Sequence, residues 1–156
     1  MPIVEVRTVV AAPIEVCFDL ARDIDLHRLS TQGTDERAVA GVTSGLIGPG
    51  EEVTWEATHF GLRQRLTSRI TRYERPRHFR DSQVAGPFRR FDHDHMFAAT
   101  ASGGTTMRDV FEYESPFGLL GRCADAWFLR AYMRKFLESR ALVIKAAAES
   151  LVRLDG

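Results

Sequence analysis

The sequence has few cysteines and no long apolar run. Its 156 residues include two cysteines, Cys17 and Cys123, without CxxC spacing. They form no disulfide framework, so we expect a reducing, cytoplasmic compartment. No apolar stretch approaches the ~20 residues that a membrane-spanning helix needs, so we expect no integral membrane segment. The amino terminus lacks a basic segment followed by an apolar run, and we expect no signal peptide.

The sequence also lacks an excess of charge of either sign. Its 21 basic and 21 acidic residues balance to a formal charge of zero, which gives no global attraction to nucleic acid or anionic membranes. One predicted strand carries Arg63, Arg65 and Arg69 on one face, but Glu52 and Glu56 occupy neighbouring solvent-facing positions. Cross-strand ion pairing explains these arginines better than nucleic-acid binding does.

Familiar catalytic and cofactor motifs are missing as well. GxSxG, the P-loop and GxGxxG do not occur. Neither cysteine has an adjacent histidine that could activate it as a nucleophile. We therefore predict no cofactor, and the sequence carries no indication of oligomeric state.

What the sequence does contain is a long helical segment in its last third, residues 119–154. The segment has no proline and is rich in Ala, Leu, Arg, Glu and Lys, which predicts one continuous helix. At ~1.5 Å per residue this helix would span roughly 50 Å. An apolar stripe near the 3.6-residue period comprises Leu129, Met133, Phe136, Leu137, Ile144, Ala147 and Leu151.

The chain before this helix alternates between apolar and polar residues, as strands do. Predicted strands cover residues 3–10, 36–40, 51–60, 62–73, 78–84, 88–98 and 105–114. Helical spacing in 14–23 and 25–29 predicts a helix pair after the first strand. Because short turns require antiparallel neighbours, we predict a single α+β domain over 1–156. In it, a curved antiparallel sheet of about seven strands surrounds the C-terminal helix.

The sixth and seventh strands carry the most informative polar residues. Period two places Phe91, His93, His95 and Phe97 on one face, and Met107, Asp109, Phe111 and Tyr113 on one face of the next strand. The aromatics favour the inner face, so Asp109 would be buried and would need a partner. We expect a contact between Asp109 and His93 or His95, which would raise the pKa of that histidine.

Several roles for these polar residues stay open. The cluster could be purely structural, could orient a ligand, or could supply acid–base catalysis through His93, His95 and Asp109. A His–x–His pair can also bind a metal, but it needs a third ligand, for which His59 and Asp81 are candidates. Because no motif fixes such a geometry, we predict no metal.

Two tryptophans are further candidates for lining a cavity. Trp55 shares the apolar face of its strand with Val53, Ala57 and His59, which suits either core packing or a cavity wall. Trp127, near the start of the long helix, either packs on the first helices or lies at a cavity mouth. The glycine-rich loop 41–50 would complete that mouth.

Residues 86–121 carry a more specific pattern. Its parts are Phe91, His93, His95 and Phe97 on one strand, a Gly-Gly-Thr turn at 103–105, Asp109, and Tyr113, Pro116, Phe117 and Gly118 before the helix. The order of elements resembles the helix-grip fold of the START-like (SRPBCC) superfamily, and the pattern is similar to a bacterial polyketide cyclase/dehydrase-like, ligand-binding branch. Carriers, receptors and enzymes share this scaffold, so the fold alone does not choose among them.

The leading hypothesis is therefore binding or transport of a small apolar ligand, such as a lipid, isoprenoid, quinone or polyketide-like compound. The predicted ligand-binding residues are Trp55, His59, Phe91, His93, His95, Phe97, Met107, Asp109, Phe111, Tyr113, Trp127 and Met133. One alternative is a cyclase- or aromatase-type enzyme, in which His93 or His95 acts on an enolisable ketone and Asp109 holds the ring. The other is a partner-binding module with a filled core.

Overall fold

The computed structural model describes residues 1–116, 118–124 and 128–156. The elements are β1 (Ile3–Val10), α1 (Ile14–Ala21), α2 (Ile24–Ser30), a 3₁₀ turn (Gln32–Thr34), β2 (Arg37–Gly41), β3 (Glu52–His59), β4 (Leu62–Glu74), β5 (His78–Ala85), β6 (Arg90–Ala99), β7 (Thr105–Glu114), α3 (Gly118–Ala124) and α4 (Arg130–Asp155). In the described residues, α3 and α4 take up the segment predicted as one long helix. None of the described helices is both long and apolar enough to cross a membrane.

The seven strands of the described residues form one antiparallel sheet in the order β1-β7-β6-β5-β4-β3-β2. Strands β2 to β6 each pair with the next strand in sequence, whereas β1 pairs with β7. The helix pair α1–α2 therefore carries the chain from one edge of the sheet to the other. This arrangement confirms the predicted helix-grip fold.

The inner face of the sheet follows the predicted alternation. The inward residues of β6 and β7 are buried, including Phe91, His93, His95 and Asp109. On the outer face, Arg63 and Arg65 donate hydrogen bonds to Glu56, and Arg69 donates to Glu52. The predicted cross-strand ion pairs are thus confirmed.

Helix α4 buries one stripe, composed of Leu137, Arg140, Ala141, Ile144 and Ala148. The carboxyl-terminal end of the predicted stripe is wrong, because Leu151 is 45% exposed and Ala148 rather than Ala147 is fully buried. Glu149 already lies level with Ala11 at the end of β1, where its carboxylate accepts from the Ala11 amide at 3.0 Å.

Candidate functional site

A cavity of about 490 Å³ lies between the sheet and the amino-terminal half of α4. Helix α4 packs on β1, α1 and α2, and its first turns reach β3 through the Tyr132 hydroxyl, 2.7 Å from His59 Nδ1. Seven of the predicted residues line the cavity: Trp55, His59, Phe91, His93, His95, Phe111 and Met133. The helix also contributes Leu129, Phe136 and Leu137 to the wall.

The other predicted residues lie elsewhere. Phe97 and Tyr113 belong to the packed core, where Phe97 contacts Phe18 and Tyr113 contacts Phe88. Met107 is buried in the same core. Asp109 lies behind the two cavity-lining histidines, with which it forms hydrogen bonds. Trp127 falls outside the described residues.

Strand register brings a polar cluster together at the inner wall of the cavity. His95 pairs directly with Asp109 on β7, and His93 pairs directly with Asp81 on β5. Asp109 Oδ1 lies 2.7 Å from His95 Nδ1 and 3.2 Å from His93 Nε2. His95 Nε2 lies 2.9 Å from Asp81 Oδ1. One imidazole therefore bridges two carboxylates, and both histidines share one oxygen of Asp109.

Burial and hydrogen bonding shift the pKa values of these groups in different directions. Burial, reinforced by His95, lowers the pKa of His93. Burial alone would also lower the pKa of His95, but hydrogen bonds to Asp109 and Asp81 raise it. For Asp109 and Asp81, burial is outweighed by the histidine partners, so both carboxyl pKa values fall below the ordinary range. The predicted rise in histidine pKa is thus confirmed for His95 and wrong for His93.

Arg140 connects this cluster to the helices and was missed by the sequence analysis. Its guanidinium is buried. Nη2 donates a hydrogen bond to the Ala21 carbonyl at 2.6 Å, and Nε donates one to His27 Nδ1 at 3.2 Å. Its Nη1 lies 3.7 Å from Asp109 Oδ1 and 3.4 Å from His95 Nδ1. The available signal was an arginine at helical spacing between Leu137 and Ile144, within an apolar stripe.

The polar contacts continue from Arg140 to Glu36. His27 Nε2 lies 3.0 Å from Glu36 Oε1, and the His27 ring stacks at a tilt on Trp55, with centroids 4.3 Å apart. The Glu36 side chain is 7% exposed and lines the cavity. Its Oε2 has no hydrogen-bond partner among the described residues. A cavity ligand with a hydrogen-bond donor could therefore satisfy this oxygen.

Aromatic side chains form the rim of the cavity. His59 pairs with Leu62, so Phe60 and Gly61 make a two-residue hairpin turn, in which both have positive φ. A bulky residue rarely adopts this conformation. The Phe60 ring contacts Tyr132 and Phe128, and both Phe60 and Phe128 are more than half exposed. The predicted mouth loop 41–50 contributes Ile47 to the cavity wall.

His59 gives the cavity rim a measurable pH dependence. Burial lowers the pKa of His59 from its ordinary 6.5, and the nearby Glu36 carboxylate only partly opposes this. The unfolded chain therefore binds more protons than the fold does just below pH 6.5, so stability falls as the pH drops through that value. We expect urea denaturation of His59→Gln to show a smaller loss of stability from about pH 7.5 to about pH 5 than the wild type. An equal loss in both proteins would contradict this assignment.

The sequence matches a known protein family over almost its whole length. Residues 1–151 match the family described as polyketide cyclase / dehydrase and lipid transport. The chain belongs to the polyketide cyclase / dehydrase and lipid transport family. No individual curated protein matches the sequence.

Solved structures share the fold of this family member at low sequence identity. The protein TTHA0849 from Thermus thermophilus is 18% identical with a TM-score of 0.73, over 94% of this chain and 99% of that chain. A START superfamily protein from Mycobacterium smegmatis is 12% identical with a TM-score of 0.72, over 96% and 98%. Ginseng major latex-like protein 151 from Panax ginseng is 15% identical with a TM-score of 0.68, over 94% and 97%.

Proposed function

We propose that the protein binds a small, mostly apolar ligand, such as a lipid, isoprenoid, quinone or polyketide-like compound, between the sheet and α4. The observation that carries this proposal is the cavity of about 490 Å³. Its volume lies in the usual range of small-molecule sites, roughly 300–1,000 Å³. Since a cavity of about 150 Å³ holds one benzene, a ligand of about three rings would fit. The family description, which includes lipid transport, supports the same class of ligand.

The cavity wall suggests how such a ligand is held. Trp55, Phe91 and Phe111 present apolar rings that would supply most of the affinity. The polar side chains of the wall include the cluster of Asp81, His93 and His95, and Glu36. A ligand with one or two oxygen atoms on an otherwise apolar frame matches this distribution. The same cavity argues against the alternative of a module with a filled core.

Native mass spectrometry tests the proposal directly. Protein purified from a cellular extract should carry one additional mass per chain, which is released by denaturation and identified by small-molecule mass spectrometry. Stripped protein should then rebind the released compound at a ratio of one to one. Protein that emerges without ligand and binds none of a panel of lipids, quinones and aromatic polyketides would contradict the proposal.

Glu36 Oε2 has no hydrogen-bond partner in the part of the chain that the structure describes, which predicts a preference for ligands that donate a hydrogen bond. We expect 2-naphthol to bind about 10-fold more tightly than 2-methoxynaphthalene, because a hydrogen bond to a buried charged group contributes roughly 1.5–3 kcal/mol. The preference should largely disappear in Glu36→Gln when both affinities are measured by calorimetry. Glu56→Gln, on the outer face of the sheet, is the matched control and should keep it. Equal affinities for the two compounds in the wild type would refute this role of Glu36.

A further inference from the structure

Asp81, His93 and His95 meet at the inner wall of the cavity, each offering one ligand atom within 4.8 Å of the others. We infer that these three side chains bind one divalent first-row transition-metal ion. Two imidazoles and one carboxylate are a donor set that suits Zn²⁺, Fe²⁺, Co²⁺ or Ni²⁺ and does not suit Mg²⁺ or Ca²⁺. The inference does not depend on which organic ligand occupies the cavity.

The distances between the donor atoms suit an ion. His95 Nε2 lies 2.9 Å and His93 Nδ1 lies 3.8 Å from Asp81 Oδ1. Ligands placed at about 2.0–2.2 Å from an ion, at tetrahedral or octahedral angles, lie roughly 3.0–3.5 Å from one another. The two separations from Asp81 Oδ1 fall just below and just above this range, and the three donor atoms all lie within 4.8 Å of one another. The donors are also carried on two adjacent strands whose register fixes their positions.

Asp109 provides the outer support that such a site requires. Its Oδ1 accepts from the nitrogens on the far side of both rings, His93 Nε2 at 3.2 Å and His95 Nδ1 at 2.7 Å. These bonds keep one proton of each imidazole on the nitrogen that faces Asp109, so the other nitrogen of each ring is the metal donor once the proton that His95 Nε2 donates to Asp81 has left. A carboxylate that orients metal-binding histidines in this way is typical of metal centres. Asp109 Oδ1 thus orients both histidines that would coordinate the metal.

The formal charge of the network matches a divalent cation. Asp81, Asp109 and Glu36 contribute three carboxylates, and Arg140 is the guanidinium that the contacts connect to them. With both histidines of the site neutral, the network carries two formal negative charges, which one divalent ion would neutralise. On binding, the ion takes the place of the proton on His95 Nε2, and that proton passes to solvent.

The site is also open towards the ligand. All three donor residues line the cavity, so three protein ligands leave at least one coordination position facing it. Closed structural zinc sites use four protein ligands, whereas open sites take a water molecule or a substrate atom. The metal would thus bind an oxygen atom of the cavity ligand, for example that of a ketone, enolate or phenolate.

Metal titration tests this inference whatever the identity of the organic ligand. Chelator-stripped wild-type protein should bind one Zn²⁺ per chain in calorimetry and develop a visible d–d absorption band with Co²⁺, while Mg²⁺ should produce no binding. Asp81→Asn and His93→Gln should weaken Zn²⁺ binding by about 100-fold or more. Asp109→Asn should weaken it by about 10–100-fold, as expected when a supporting carboxylate is removed.

His78→Gln is the matched control. His78 lies on the outer face of β5, where its Nε2 is 2.6 Å from Asp94 Oδ1, so it presents a similar histidine–aspartate pair outside the cavity. This variant should keep the wild-type Zn²⁺ affinity within about twofold. Circular dichroism establishes which variants are folded, and the wild-type titration stands even if a variant is not. A wild type that binds neither Zn²⁺ nor Co²⁺ overturns the inference, as does a folded Asp81→Asn that binds both as tightly as the wild type.

Discussion

Arg140→Met should lower the free energy of unfolding by about 3–5 kcal/mol, the usual cost of removing one partner from a buried ion pair. Methionine can fill part of the space but cannot donate a hydrogen bond. The Ala21 carbonyl would lose the donor 2.6 Å away, and Asp109 would keep its charge without the nearby guanidinium. Since domains of this size are typically stable by only about 5–15 kcal/mol, the loss should be obvious in urea denaturation.

Arg134→Met is the control for this measurement. Arg134 lies on the same helix but makes its contact at the protein surface, where its guanidinium donates to the Glu5 carbonyl at 3.1 Å. Its replacement should change the unfolding free energy by less than about 1 kcal/mol. If Arg140→Met were no more destabilising than Arg134→Met, the buried network would not hold α4 to the sheet and helix pair as we describe.

The fold was predictable because its signals are local and repeated. Alternation along β6 and β7 assigns each residue to a face, and short turns leave an antiparallel neighbour as the only partner. Together with a helix pair after β1 and a long helix at the end, these signals determine the order of the strands. The Asp109–histidine contact was predictable for the same reason, since His95 and Asp109 face each other across adjacent strands.

The rest of the polar network depends on contacts that no local pattern encodes. His27 and Arg140 are 113 residues apart in sequence, and Glu36, in the connection before β2, contacts His27. Such contacts depend on where α2 and α4 lie over the sheet, which periodicity does not determine. The volume of the cavity has the same origin, because it depends on how far the first turns of α4 stand from the strands. The pattern that identifies Leu129 and Met133 as inward-facing is the same for a filled core and for a cavity.

That ambiguity makes the cavity the most valuable feature to test by substitution. Ala57→Trp should reduce the affinity for 2-naphthol by at least about 100-fold, measured by calorimetry. Ala57 is buried on the inner face of β3, and it lines the cavity between Trp55 and His59. An indole at this position would occupy the space of the proposed ligand. Because the cavity of about 490 Å³ can take up the new side chain, we expect the fold to tolerate it.

Thr58→Trp places the same side chain on the opposite face of the same strand. Successive residues of a strand point to opposite faces, so this indole would extend into solvent and leave the cavity unchanged. Its affinity for 2-naphthol should stay within about twofold of the wild-type value, and both variants should give wild-type circular dichroism spectra. If Ala57→Trp folds and still binds 2-naphthol with wild-type affinity, the compound binds outside the cavity. In that case the sheet and α4 do not form the binding site.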